Sequence, residues 1–89
     1  MVALKRILLD VLKPHNPNNL ELAKAIAAIG ADYRVCLAVD EMDEKTETIR
    51  IQIEAETVDF EAVQKAITAM GGALHSIDEV EVQGGFESE

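Results

Sequence analysis

Several residue types that particular functions require are scarce in this sequence. The single cysteine, Cys36, excludes an internal disulfide framework and metal motifs built from several cysteines. Three aromatic residues and no tryptophan leave the chain without the paired aromatic side chains on which nucleic-acid bases stack. No apolar run approaches the roughly 18 residues of a membrane span, and the start lacks the apolar segment of a secretory signal. We therefore expect a cytoplasmic protein.

Positive charge is scarce as well. Eight Lys or Arg against 17 Asp or Glu give a net charge of −9. Nucleic acids and anionic membranes both attract proteins mainly through cations, so we expect neither as a partner. Residues 1–39 carry five cations and three acids, whereas residues 40–89 carry three cations and fourteen acids. This asymmetry can attract a cationic protein surface or orient one copy of the chain against another.

Apolar residues, in contrast, are abundant. They make up 48% of 89 residues, which predicts one folded domain with a core rather than a disordered chain. We assign residues 1–83 to this domain and residues 84–89 to a flexible C-terminal tail. A chain of this length buries only roughly 60–65% of its unfolded surface, so assembly with further copies is a plausible source of stability.

Four segments alternate apolar and other residues with the period of a β-strand. They run over Leu4–Leu12, Tyr33–Asp40, Ile49–Glu54 and about Leu74–Val82. The alternation breaks around Ser76–Asp78, which indicates a β-bulge. The second and third segments form a hairpin around the polar residues 41–47.

Two helices fill the gaps between these strands. Asn16 as N-cap and Pro17 as first helical residue predict the start of one helix, and Gly30 predicts its left-handed end. Thr57 or Asp59 caps the other helix. The two apolar stripes are Leu22, Ile26 and Ile29, then Phe60, Val63, Ile67 and Met70.

The helices belong to an internal repeat. Residues 21–31 and 62–72 agree at five of eleven positions, with an offset of 41. Two interleaved β-α-β halves predict an α+β, ferredoxin-like β-α-β-β-α-β sandwich, whose antiparallel four-stranded sheet has the order 4-1-3-2 and carries both helices on one face. The residues expected beneath the helices are Ile7, Leu9, Val11, Val35, Leu37, Val39, Ile49, Ile51 and Ile53.

The opposite, open face of this sheet carries more apolar residues than a solvated face normally does. We predict an apolar island with charged residues at its rim, the usual anatomy of a protein interface. We therefore expect self-association through the open face or through the sheet edges. The last strand carries three acids that we expect to discourage another strand from pairing with this edge of the sheet. They are Asp78, Glu79 and Glu81. The predicted interface residues are Arg6, Leu8, Leu12, Arg34, Cys36 and Ala38.

Two histidines suggest a candidate metal site. His15 follows the first strand and His75 opens the last, and these strands are antiparallel neighbours in the predicted sheet. His15, His75 and Asp10 could therefore converge on a divalent metal ion such as zinc. The alternative is two surface histidines with local hydrogen bonds, and the sequence favours it. No arrangement of residues predicts a catalytic site, so we expect no enzyme.

Four stretches of the sequence are distinctive: Asp10–His15, Glu21–Lys24, Ile53–Glu54 and Leu74–Val80. Together they resemble the archaeal family called domain of unknown function two-eleven (ArCR). Membership implies a ferredoxin-like fold, an archaeal cytoplasm and a ring-like homo-oligomer, but no activity. Ala55 departs from the family, in which a glycine is expected at that position.

Three hypotheses for the function follow. The first is a non-enzymatic, self-assembling domain. The second is a regulatory sensor that binds a divalent metal or a small effector at the interfaces between subunits. The third is an acidic adaptor for a cationic protein surface, because the second half of the chain is strongly acidic.

Overall fold

A computed structural model describes residues 2–85, which form one four-stranded antiparallel sheet and two helices. The strand order β2-β3-β1-β4 is the predicted order counted from the other edge, so the predicted fold is confirmed. No helix within residues 2–85 is long and apolar enough to cross a membrane. The elements are β1 Val2–Pro14, α1 Asn19–Ala27, β2 Arg34–Met42, β3 Thr46–Glu54, α2 Phe60–Ala69 and β4 Ala73–Gly84.

The core forms where the helices cover the central strands. Burial of alternate residues on β1 and β3 follows the predicted alternation, because period-two spacing sends these side chains to one face. Val35 and Leu37 of β2 are only half-buried, and Val39 is 45% exposed, so the prediction for Val39 is wrong. The register of β2 with β3 shifts directly after Val39, at an edge of the sheet. The buried cluster comprises Ile7, Leu9, Val11, Leu22, Ile26, Ile49, Ile51, Ile53, Val58, Val63 and Ile67.

The first helix begins two residues later than its sequence predicts. Asn18, not Asn16, is the N-cap, and its side chain accepts a hydrogen bond of 2.9 Å from the backbone N–H of Glu21. Pro17 lies in the preceding turn, after a cis peptide bond. Asp59, one of the two residues predicted to cap α2, does so by accepting a 3.2 Å hydrogen bond from the N–H of Ala62. Three asparagines in four residues all suit an N-cap, so sequence alone does not choose between them.

Gly30 does not end α1 in a left-handed conformation. The helix stops at Ala27, and Ala28 caps it in the right-handed region. Gly30 serves a close approach instead: a Cβ there would lie 2.8 Å from the ring of Tyr33. The Tyr33 hydroxyl in turn accepts a 2.7 Å hydrogen bond from the N–H of Asp59, which links the end of α1 to the start of α2.

β4 is irregular where the sequence pattern breaks. Two β4 residues, His75 and Asp78, have no opposite residue on β1, since Leu74 pairs with Val11 and Ser76 with Asp10. The predicted bulge is thus confirmed, and β4 contains two bulges in this region, one at His75 and one at Asp78. Gly84, which the sequence analysis assigned to the tail, belongs to β4. The rest of the predicted tail, from residue 86 onward, lies outside the described residues.

Candidate functional site

An apolar strip on β4 lies on the helix side of the sheet but outside the cover of the helices. It consists of Ile77, Val80 and Val82, which are 49%, 57% and 52% exposed; we call it the β4 strip. Val80 pairs with the buried Ile7 of β1, so the strip continues the face that forms the core. The buried cluster takes residues from β1, β3, both helices and the loop before α2, and none from β4. Three neighbouring apolar side chains left half in water on one edge strand are typical of a surface that another chain covers.

The open face does not carry one continuous apolar island. Leu8 and Cys36 are each paired with Gln52, because β3 lies between β1 and β2. The same geometry places Arg50 between β1 and Ala38. The island predicted from Leu8, Leu12, Cys36 and Ala38 is therefore split in two by polar side chains of β3. The sequence interpretation failed because it treated β1 and β2, which follow each other along the chain, as neighbours in the sheet.

A line of alternating charge crosses the sheet on this open face. The side chains in register are Arg34 of β2, Glu54 of β3, Arg6 of β1 and Glu81 of β4; we call this line the charge row. Arg6 is its centre, and its guanidinium lies 2.9 Å from Glu79 and 3.4 Å from Glu81. The hydrogen bond to Glu79, and to a smaller extent the one to Glu81, raises the pKa of Arg6.

Arg34 is held far more loosely than Arg6. Its side chain is 84% exposed, and its nearest carboxylate oxygen, on Glu54, is 3.8 Å away. A shallow cleft lies over this end of the sheet, with Arg6, Arg34, Glu54 and Glu81 among its lining residues. Both arginines already face carboxylates, so the cleft selects no particular class of small ligand. What it does offer is an exposed arginine at one edge of the sheet and exposed carboxylates at the other.

The three predicted metal ligands do not form a metal site within one copy. Residues 2–85 contain no group of three or more His, Cys, Asp or Glu side chains that could hold a metal ion. Asp10 lies on the open face between Arg50 and Ser76, and its buried Oδ1 has no hydrogen-bond partner among the described residues. His75 lies exposed in the first bulge of β4.

His15 turns away from β4 and toward the β2–β3 hairpin. Its Nε2 lies 3.0 Å from the carbonyl oxygen of Asp43 and 3.2 Å from that of Glu44. Its Nδ1 lies 3.6 Å from Oε1 of Glu47. This pattern corresponds to the alternative stated above, a histidine with local hydrogen bonds. Pro14 pairs with Thr46 of β3, so the chain leaves β1 on the hairpin side.

Lys13 and Glu47 form a buried ion pair that the sequence interpretation missed. The Lys13 Nζ is 2.9 Å from Glu47 Oε2 and donates a second hydrogen bond of 2.7 Å to the Pro14 carbonyl. Both side chains are buried, 0% and 5% exposed. The hydrogen bond from Lys13 lowers the pKa of Glu47; burial opposes this, and the charges of Lys13 and His15 assist it.

The signal for this pair was present in the alternation of the strands. Lys13 follows Ile7, Leu9 and Val11 at spacing two, and Glu47 precedes Ile49 at the same spacing, so both fall on the core face. Assigning Glu47 to the turn concealed it. The pair closes the hairpin end of the core, and it offers no open space to a ligand because both charged groups are satisfied and covered.

Comparison with known proteins identifies the family. Residues 5–85 match the family described as uncharacterized ArCR, domain of unknown function two-eleven. An uncharacterized protein of Methanocaldococcus jannaschii is 39% identical over 80 residues, which cover 90% of this chain and 82% of that protein. The chain therefore belongs to this family, as its resemblance implied.

Proposed function

We propose that this member of the ArCR family is a non-enzymatic, self-assembling cytoplasmic subunit whose assembly covers the β4 strip. The observation that carries the proposal is the exposure of Ile77, Val80 and Val82 on the face that elsewhere forms the core. Removing such side chains from water contributes about 25 cal/mol for each Å² of apolar surface buried. A chain whose two helices leave β4 half exposed gains this contribution from a second copy.

Light scattering on the purified chain tests the proposal. We expect a molar mass at tens of micromolar that is a multiple of the 9.7 kDa monomer. Val80→Asp places a carboxylate in the β4 strip and should reduce this mass toward that of the monomer. Leu20→Asp is the matched control, because Leu20 is 62% exposed on α1, away from the strip. A wild-type chain that is strictly monomeric would end the proposal.

The open face is a second candidate contact. Leu12 is 44% exposed there, and the buried Oδ1 of Asp10 would gain a donor if a second chain covered this face. We therefore keep as a proposal that the predicted interface residues of this face contact a second copy. These residues are Arg6, Leu8, Leu12, Arg34, Cys36 and Ala38. Leu12→Asp separates the two surfaces: a loss of mass equal to that of Val80→Asp shows that both take part.

The sensor and the acidic adaptor remain predictions with tests of their own. A divalent metal or effector that binds the native state should raise the melting temperature of the chain. Zn²⁺ is the first probe, because the predicted ligands include His15 and His75. An adaptor role predicts capture of basic proteins that is lost in high salt.

A further inference from the structure

We infer that the β4 edge of one copy pairs with the β2 edge of a second copy, so that the sheet continues from chain to chain in a head-to-tail contact. The inference rests on the proposed self-assembly and names the two surfaces that meet. β2 and β4 are the two edges of the sheet. Each edge presents a row of backbone N–H and C=O groups that can pair with another strand.

Strand direction permits this contact without turning either copy over. β4 is antiparallel to β1, β1 to β3, and β3 to β2, so β4 and β2 run in opposite directions. A copy displaced sideways therefore presents its β2 antiparallel to β4, with its helices on the same side. The core face of one sheet then continues the core face of the next.

Apolar side chains meet apolar side chains in this arrangement. One row on the helix side runs from Val35 through Ile53 and Ile7 to Val80. Continuing this row brings the Val35 of the next copy beside Val80. The next row ends in Ile77 and continues into Leu37 of the next copy in the same way. Val35 and Leu37 are themselves only half-buried, so both sides of the contact lose apolar surface to water.

Charge complementarity selects this contact. The charge row alternates in sign across the sheet, beginning with Arg34 and ending with Glu81. Continuing it places the loosely held Arg34 of the next copy beside Glu81, so the alternation passes from chain to chain without a break. Opposite charges directly across neighbouring strands are favourable, and like charges are unfavourable.

The symmetric alternative, β4 against β4, is disfavoured by the same charges. Any register that places Val80 opposite Val80 also places Glu79 opposite Glu81, twice over. The acids of β4 thus act against pairing of two β4 edges but not against addition of β2. A head-to-tail contact can repeat, and it closes into a ring or extends as a filament.

Disulfide trapping between two different variants tests the inference. Both variants carry Cys36→Ser to remove the natural thiol, and one adds Arg34→Cys while the other adds Glu81→Cys. Cross-strand neighbours satisfy the geometry that a disulfide requires. Under mild oxidation each variant alone should stay largely uncrosslinked, and a mixture should give the mixed disulfide dimer as the main product. Met42→Cys mixed with Glu81→Cys is the matched control, since Met42 lies at the opposite end of β2.

The outcomes separate the two proposals. If Glu81→Cys alone gave a disulfide-linked dimer as its main product, two β4 edges would be in contact and the inference would be overturned. If the mixture gave no mixed disulfide dimer while light scattering still showed an assembly, the inference would also be overturned. The proposal of self-assembly would stand. A monomeric mass in light scattering would contradict the proposed function itself.

A charge exchange gives a second measurement without oxidation. Arg34→Glu and Glu81→Arg should each lower the mass of the assembly, because each brings like charges together at the contact. A mixture of the two should recover mass, since the substituted β2 edge of one variant suits the substituted β4 edge of the other. Failure of the mixture to gain mass over its separate components would contradict the inferred contact.

Discussion

β3 and β4 flank the same strand, and they differ in what covers them. Both place apolar side chains opposite Ile7 and Leu9 of β1. On β3 these partners, Ile53 and Ile51, are fully buried, whereas on β4 the partners Val80 and Ile77 stay half exposed. The same sequence pattern therefore produces a core strand on one side of β1 and an unfinished surface on the other. An edge strand with a core pattern indicates a contact outside the single chain.

The ion pairs of these strands differ in the same way. Glu47 of β3 meets Lys13 with both side chains out of water, whereas Glu79 of β4 meets Arg6 while 55% exposed. Solvent screens an exposed pair, and a buried pair is screened much less. β3 thus contributes both its apolar and its charged residues to the interior, whereas β4 keeps both kinds available at the surface.

The largest expected difference between the strands comes from truncating an apolar residue on each. Ile51→Ala should lower the free energy of unfolding by about 4 kcal/mol, because it leaves a cavity in the core. Val80→Ala should cost less than about 1 kcal/mol in a monomeric variant, since its side chain is already more than half in water. Urea denaturation measures both. Equal losses would show that β4 belongs to the same core as β3.

Removing a carboxylate from each strand should give the next largest difference. Glu47→Ala leaves Lys13 buried without its partner, which should cost about 3 kcal/mol. Glu79→Ala should leave the denaturation midpoint close to that of the wild type, because Arg6 retains Glu81 and solvent. A small loss for Glu47→Ala would mean that water or another group reaches Lys13.

Acid should weaken β3 specifically through Glu47. The folded state lowers the pKa of this carboxyl below its ordinary 4.5, so the folded state favours the ionised form. Its contribution is therefore complete above pH 4.5 and is lost as pH falls through the lower pKa of the folded state. The wild type should be more stable than Glu47→Gln at neutral pH, and this difference should narrow in acid. A constant difference across a denaturation series at several pH values would contradict the ion pair.

Much of this architecture was predictable because local patterns and global fold agree. The alternations on β1 and β3, the repeat of residues 21–31 in residues 62–72 and the cap at Asp59 all pointed to the structure that forms. The surfaces were harder to predict. Whether Val80 is covered depends on how far the helices reach across the sheet, and periodicity does not contain that distance.

The sites failed where prediction needed a side-chain direction or a neighbouring strand. The metal hypothesis brought His15 toward His75, yet His15 turns to the hairpin and makes the local contacts that the sequence favoured, because the chain leaves β1 on the side of β3. The predicted apolar island is not continuous, because Gln52 and Arg50 of β3 lie between its residues on β1 and those on β2. Lys13 and Glu47 show the opposite lesson, since strict alternation would have placed both on the core face.

The most direct test of a contact on β4 is amide hydrogen exchange of both strands at several protein concentrations. Amides of β3 are paired on both sides within one chain, so exchange over Ile49–Ile53 should not depend on concentration beyond a general change in stability. Outward-facing amides over Ile77–Val82 gain partners only on assembly, so their exchange should slow as concentration rises. Exchange over Ile77–Val82 that stays fast and independent of concentration would contradict the account.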